Sequence, residues 1–235
     1  MEARTILIGS ATARTGGAVI SAFLDAGYQV ATTARNRDHL QAALSRIPHG
    51  DTVLGIEADL AEADQANSAV EQTCAAFGHL DAATLLSGSF DQREVTETTL
   101  ADLQHQIEAN LYTSYNLVRA VLPAMLAQGH GHIITIAGGS AFDPAPGRAL
   151  FGASKAAVVT FTKGVARDYK QRGIVPTCLV AGTIATVEAE QYLDEEDMRN
   201  AVSLDEFANA LVFLASPEAT GFAGSILELY AREVD

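Results

Sequence analysis

Apolar positions follow two rhythms along the chain. Short runs rich in β-branched residues read as buried strands, and they alternate with longer stretches of helical periodicity. Thr5-Ile6-Leu7-Ile8 predicts a first strand, and Gly16 to Ala26 a helix closed by Gly27. Strand Gln29 to Thr33 precedes a helix from Asp38 to Arg46, ended by Pro48. Strand Thr52 to Ile56 precedes a helix from Ala61 to Phe77. A fourth strand, Asp81 to Leu86, leads into one long helix, Leu100 to Leu126, with Pro123 near its end. Strand Gly131 to Ile136, helix Ala149 to Gln171, strand Ile174 to Val180, helix Leu204 to Ala215 and strand Ser225 to Tyr230 complete the series.

Strict alternation implies right-handed crossovers and a parallel sheet covered on both faces. The expected fold is a single α/β domain over residues 1–235, a Rossmann-like doubly wound parallel sheet of about seven strands. Ligands of such sheets bind beyond the carboxyl ends of the strands. Gly9 to Gly16, Leu86 to Ser89, Ala137 to Asp143 and Ala181 to Thr186 should therefore converge on one cleft. The irregular segment from Ala185 to Asn200, with its run Asp194, Glu195, Glu196, Asp197, reads either as a mobile lid or as a solvated acidic helix face.

The 235 residues carry 15 Lys+Arg against 29 Asp+Glu, a net charge of −14. That balance argues against nucleic acid or an anionic membrane as partner and leaves a small-molecule substrate. Cys74 and Cys178 have neither disulfide-framework nor metal-ligand spacing, so no metal is expected and both read as buried free thiols. Met1-Glu2-Ala3-Arg4 runs straight into a strand without the regions of a signal peptide, so a cytoplasmic location is the default.

The first strand enters Gly9-Ser10-Ala11-Thr12-Ala13-Arg14-Thr15-Gly16-Gly17 and then a helix. Small residues and a helix N-terminus suit a pyrophosphate, although the central glycine of a dinucleotide fingerprint is missing. Gly9, Ser10, Arg14, Thr15 and Gly16 are the candidate phosphate contacts. Arg35, after the second strand, stands where an acidic residue would select NAD, and with Arg14 it favours NADP(H) over NAD(H). The alternative is that Arg35 and Arg37 merely open a helix. Asp59 either reaches the adenine amino group or caps the next helix.

Asp59-Leu60, Asn110-Leu111, Gly131-His132-Ile133-Ile134, Ala153-Ser154-Lys155-Ala156-Ala157 and Ala181-Gly182-Thr183 with Thr186 occur in this order. They are followed by Leu211-Val212-Phe213-Leu214-Ala215-Ser216 and Thr220-Gly221-Phe222-Ala223-Gly224. Together, from Thr5 to Tyr230, they resemble the short-chain dehydrogenase/reductase family. The resemblance implies NAD(P)(H)-dependent reduction of a carbonyl or oxidation of an alcohol. It places Leu60, Ser87, Gly88, Gly182, Ile184 and Thr186 along the cofactor, Thr186 at its carboxamide and Lys155 on the nicotinamide ribose. Asn110 resembles the residue of a helix distortion that holds a relay water. The helices Leu100 to Leu126 and Ala149 to Gln171 would pair copies into a homodimer or homotetramer.

The chemistry departs from the family. Its tyrosine acid/base, four residues before the lysine, is Phe151 here, and its serine, thirteen residues before the tyrosine, is Gly138. Leu85-Leu86-Ser87-Gly88 stands for Asn-Asn-Ala-Gly and Ala181-Gly182 for Pro-Gly. The loop from Gly9 is closer to that of enoyl-acyl-carrier-protein reductases than to the ordinary one. Phenylalanine has no proton to exchange, and glycine cannot donate to an oxyanion. Ser140 is a candidate oxyanion donor and Asp143 a candidate acid, though Asp143 before Pro144 also suits a turn; Ser87, Ser154 and Tyr192 are further candidates. His130 and His132 read as solvated. The leading reading is an atypical oxidoreductase using solvent or a non-family acid. The alternatives are a catalytically inactive nucleotide-binding scaffold and a cofactor-free lyase or cyclase on the same fold.

Overall fold

A computed structural model of the chain describes residues 3–186, 189, 198 and 201–231. Seven strands, β1 (Thr5–Gly9), β2 (Gln29–Ala34), β3 (Leu54–Glu57), β4 (Ala82–Leu85), β5 (Gly131–Gly138), β6 (Ile174–Ala181) and β7 (Ile226–Leu229), form one sheet. Their order is β3-β2-β1-β4-β5-β6-β7 and every neighbouring pair is parallel. The chain order reverses between β1 and β4, which opens a crevice at their carboxyl ends.

Period-two alternation sends side chains to opposite faces. Ile6 and Ile8 pack on one side with Val19, Ile20 and Phe23 of α1 (Gly16–Asp25), Leu40 of α2 (Arg37–Leu44), and Phe207 and Leu211 of α7 (Leu204–Leu214). Leu7 points the other way, toward Ala66 and Val70 of α3 (Ala63–Phe77), Leu117 and Val121 of α5 (Thr113–Gln128) and Val165 of α6 (Ala149–Tyr169). The doubly wound architecture expected from the alternation is the one observed.

The single long helix expected from Leu100 to Leu126 is two helices. α4 (Leu100–Ile107), opened by a Thr99–Asp102 capping box, passes through a π-helical turn, Glu108–Tyr112, before α5 begins. Pro123 lies inside α5, which runs on to Gln128 and stops where Gly129 takes φ 78°. α3 starts two residues later than expected because Asp59 Oδ1 accepts from the Ala61 amide. His132 is not solvated: it lies in β5, 9% exposed, with Nδ1 2.9 Å from Leu214 O, and burial holds its pKa below the usual histidine value. His130 is exposed beside Asp81. Cys178 is buried and Cys74 partly so. Most of the expected lid, with the acidic run and Tyr192, lies outside the described residues. Among the described residues no helix is long and apolar enough to cross a membrane, and no group of His, Cys, Asp or Glu could hold a metal.

Candidate active site

β1 ends tightly. A Cβ on Gly9 would lie 2.5 Å from Leu85 Cδ1 and 2.6 Å from Leu60 Cδ1, so a larger residue there would have to displace both leucine side chains. Ser10 follows in the left-handed region, φ 71°, with its amide donating to Thr33 Oγ1 and that of Ala11 to Thr33 O. A Cβ on Gly16 would lie 2.2 Å from Ala11 O, which makes glycine obligatory where the turn enters α1. The amides of Thr12 and Thr15 donate to no acceptor among the described residues. They stand at a helix N-terminus, where the partial positive charge and free N–H groups favour phosphate oxygens. Arg14 is exposed on this turn and Arg35 is exposed just past β2. Asn36 caps α2 by accepting from the His39 amide, and Arg37 pairs with Glu57 at 3.3 Å. Arg35 is therefore spared the helix-opening role. Asp59 does not cap α3, whose N-cap is Glu62; its Oδ1 accepts from the Ala61 amide in the turn that precedes the helix.

At the other end of the cleft the π-turn swings Asn110 inward, 1% exposed. Its Oδ1 accepts from the Ser89 amide at 3.1 Å. Its Nδ2 lies 3.0 Å from both Ser89 O and Ser154 Oγ. Asn110 thus ties the loop after β4 to α6. A Cβ on Gly88 would lie 2.6 Å from Asn110 Oδ1 and 3.2 Å from Lys155 Nζ, so the glycine allows backbone, amide and ammonium to meet.

Lys155 projects from α6, 8% exposed, and its Nζ donates to Ile136 O at 3.3 Å. Burial pushes its pKa down to about 8, against an opposing pull from Cys178. The ammonium has three donors and one acceptor among the described residues, leaving N–H groups for ribose hydroxyls. The open amides and this ammonium, with the glycines that permit close approach, fit a dinucleotide. Such a group supplies hydride exchange at its nicotinamide; the chain supplies the cradle.

Gly138 and Phe151, which the resemblance sets at the family's hydroxyl positions, face each other. A Cβ on Gly138 would stand 3.6 Å from Cε1 and Cζ of Phe151, because β5 and β6 run in register from Gly131↔Ile174 to Gly138↔Ala181 beneath α6. Ser154 cannot replace them: its hydroxyl donates to Phe151 O at 2.7 Å and accepts from Asn110. Ser140 is 8% exposed in the turn after β5. Asp143 is exposed there, its amide donating to Gly139 O. Ser87 is half-buried beside Gly88. Ile184 bridges Val202, and the Thr186 amide donates to Ile184 O while its hydroxyl accepts from Ala189, so the run after Gly182 is pinned.

Three side chains at this mouth escaped sequence reasoning. Tyr230 covers the floor, its Oη 3.2 Å from where a Cβ on Gly139 would sit and its ring against Gly182. Phe90 meets Phe151 edge to face at 5.1 Å, and Arg148 lies over Phe90. Both contacts run through Phe90, and nothing local in the sequence links Phe90 to Phe151 or to Arg148.

A family model for short chain dehydrogenases matches residues 4–197. The 2-(R)-hydroxypropyl-CoM dehydrogenase of Xanthobacter autotrophicus is 31% identical over 239 residues, covering 95% of this chain and 96% of that protein. Dehydrogenase/reductase SDR family member 6 of Danio rerio is 26% identical, covering 96% of this chain and 95% of its own. Among solved structures, 3-ketoacyl-(acyl-carrier-protein) reductase from Brucella melitensis complexed with NADH matches with a TM-score of 0.88 at 22% identity over 97% of each chain. NAD+-bound xylitol dehydrogenase matches with a TM-score of 0.90 at 18% identity, over 98% of this chain and 99% of its own. The structures share the fold, and the family model spans most of the sequence. The chain belongs to the short-chain dehydrogenase family.

Proposed function

We propose that the protein is an NADP(H)-dependent oxidoreductase acting on a small carbonyl or alcohol, with turnover slowed by the absence of the family's hydroxyl pair. The observation that carries this reading is Lys155: buried, still largely charged at neutral pH, and with N–H groups to spare beside Gly88. A lysine kept only for structure would have found acceptors for its donors. Arg35 and Arg14 are exposed, and on this reading their charge favours a 2′-phosphate on the adenosine ribose. Structures of similar fold include ElxO with NADP bound. With Phe151 and Gly138 in place, the proton for a reduced carbonyl comes from solvent, and Ser140, in the turn after β5, is the candidate hydrogen-bond donor to its oxygen. The exposed Leu100, Tyr112 and Tyr115 on α4, the π-turn and α5 support pairing of copies there.

The vacated hydroxyl pair also favours a second reading, a nucleotide-responsive binding protein without turnover. Oxidation of NADPH over a panel of small ketones and aldehydes separates the two. Slow turnover that Lys155→Met abolishes supports the oxidoreductase. Saturable NADPH binding with no turnover anywhere in the panel establishes the second reading instead.

A further inference from the structure

Arg148 carries a cation that no described residue balances. Its guanidinium Nε is buried with no hydrogen-bond partner. Among the described residues its Nη2 reaches Gln92 Oε1 alone, at the 3.5 Å limit of such a bond. Among the described residues no carboxylate lies within ion-pair distance, in a chain with 29 acidic residues to 15 basic ones. The contrast with Arg93, on the loop that faces it, is sharp: that guanidinium is held by both Asp91 at 2.6 Å and Asp102 at 2.7 Å. A buried guanidinium N–H without a partner calls for an explanation in a ligand or an ordered water.

The position of Arg148 indicates which. The residue is the N-cap of α6, three residues before Phe151, with its backbone fixed by Arg148 N donating to Ala145 O and its carbonyl accepting from Gly152 N. Its Cζ lies 5.2 Å from the centroid of Phe90, and the Phe90 ring in turn meets Phe151. The facing loops are joined by Arg93 N donating to Gly147 O at 2.8 Å. Guanidinium, Phe90 and Phe151 thus form a continuous row of contacts, with the cation one ring away from Phe151, the residue that the resemblance sets at the family's tyrosine position. Stacking occupies the faces of a guanidinium and leaves its edge, here Nε and Nη, for an oxyanion to accept two parallel bonds. Phe90 is 57% exposed, an aromatic surface that a bound molecule would cover.

We propose that Arg148, stacked on Phe90, anchors an oxyanion at one end of the substrate, a carboxylate or a sulfonate, while the carbonyl at the other end lies toward Phe151 and Gly138. This rests on the oxidoreductase reading for the identity of the second end, and the test keeps the two apart. A homologous series of oxo acids, their methyl esters and oxoalkanesulfonates is titrated by calorimetry into the protein, with and without saturating NADPH. The charged members should bind about ten- to a hundredfold tighter than the matched esters, the worth of a charge-assisted pair shielded from water. Arg148→Met, which keeps the length and the apolar contact with Phe90, should erase that preference and leave the NADPH titration unchanged. Arg148→Lys should retain part of it. Equal affinity for acid, sulfonate and ester in the native protein overturns the proposal, as does a preference that survives in Arg148→Met. Absence of NADPH binding strikes the cofactor reading alone, since the oxyanion preference is read separately in the cofactor-free protein.

Discussion

Gly138 and Phe151 face each other across the gap between β5 and α6, with 3.6 Å between the position of a Cβ on the glycine and the ring edge. That spacing is ordinary van der Waals contact, so a serine side chain enters without displacing the ring. The double substitution Gly138→Ser with Phe151→Tyr restores an acid and an oxyanion donor together. It should raise carbonyl reduction by NADPH about 10²–10⁴-fold over the native chain. Phe151→Tyr alone should recover less. Steady-state rates across a carbonyl panel check this, and a double variant no faster than the native chain would refute it.

Lys155 makes stability depend on pH. Below about pH 8 its ammonium is charged in both the folded and the unfolded chain, and the cost of burying it is fully present. Between about 8 and 10.5 the folded protein gives up the proton while the unfolded chain keeps it. Stability attributable to this group therefore rises through that window, by up to ~3 kcal/mol. Lys155→Met should be more stable than the native protein at pH 7, and the difference should shrink as pH climbs to 10. Urea denaturation of both proteins at the two pH values measures it. By the same titration, native affinity for NADPH should fall above about pH 8.

Asn110 holds the Ser89 backbone through both its amide and its carbonyl, and the Ser154 hydroxyl besides. Asn110→Ala leaves buried groups without partners and should lower stability by about 1–3 kcal/mol. Because Gly88 is positioned by the same clamp, NADPH affinity should fall as well. Equilibrium unfolding and nicotinamide fluorescence read the two effects independently.

Arg35 tests cofactor choice. It is exposed just past the end of β2, where the proposed reading sets the adenosine ribose, and Asn36, not Arg35, caps α2. Arg35→Ala should weaken NADPH roughly tenfold, the scale of one charge-assisted contact, and leave NADH affinity unchanged. Parallel titrations with the two nucleotides give the ratio directly.

The pleat alternation of Ile6, Leu7 and Ile8 and the strand–helix order made the doubly wound sheet legible, because burial on two faces writes itself as periodicity. The phosphate turn was legible in part: Gly9 and Gly16 are dictated by contacts with Leu85, Leu60 and Ala11, while Ser10 takes a left-handed conformation that its identity does not announce. The break at Asn110 was hidden because a π-turn inserts a single residue and leaves the apolar stripe on either side intact. His132 looked polar and solvated, yet its ring finds the Leu214 carbonyl 82 residues away, a partner no local pattern reveals. The contact of Phe90 with Arg148 was missed for the same reason: it is made by two loops that meet only in the fold.

On the proposed reading, this cleft still receives a dinucleotide, with Lys155 as its anchor, although Phe151 and Gly138 offer no hydroxyl to move protons beside it. The most direct measurement is titration of the native protein and Lys155→Met with NADPH, followed by nicotinamide fluorescence at pH 7. Saturable binding by the native chain and marked weakening in the variant are expected. No saturable signal from the native protein, or equal affinity in both, would contradict it.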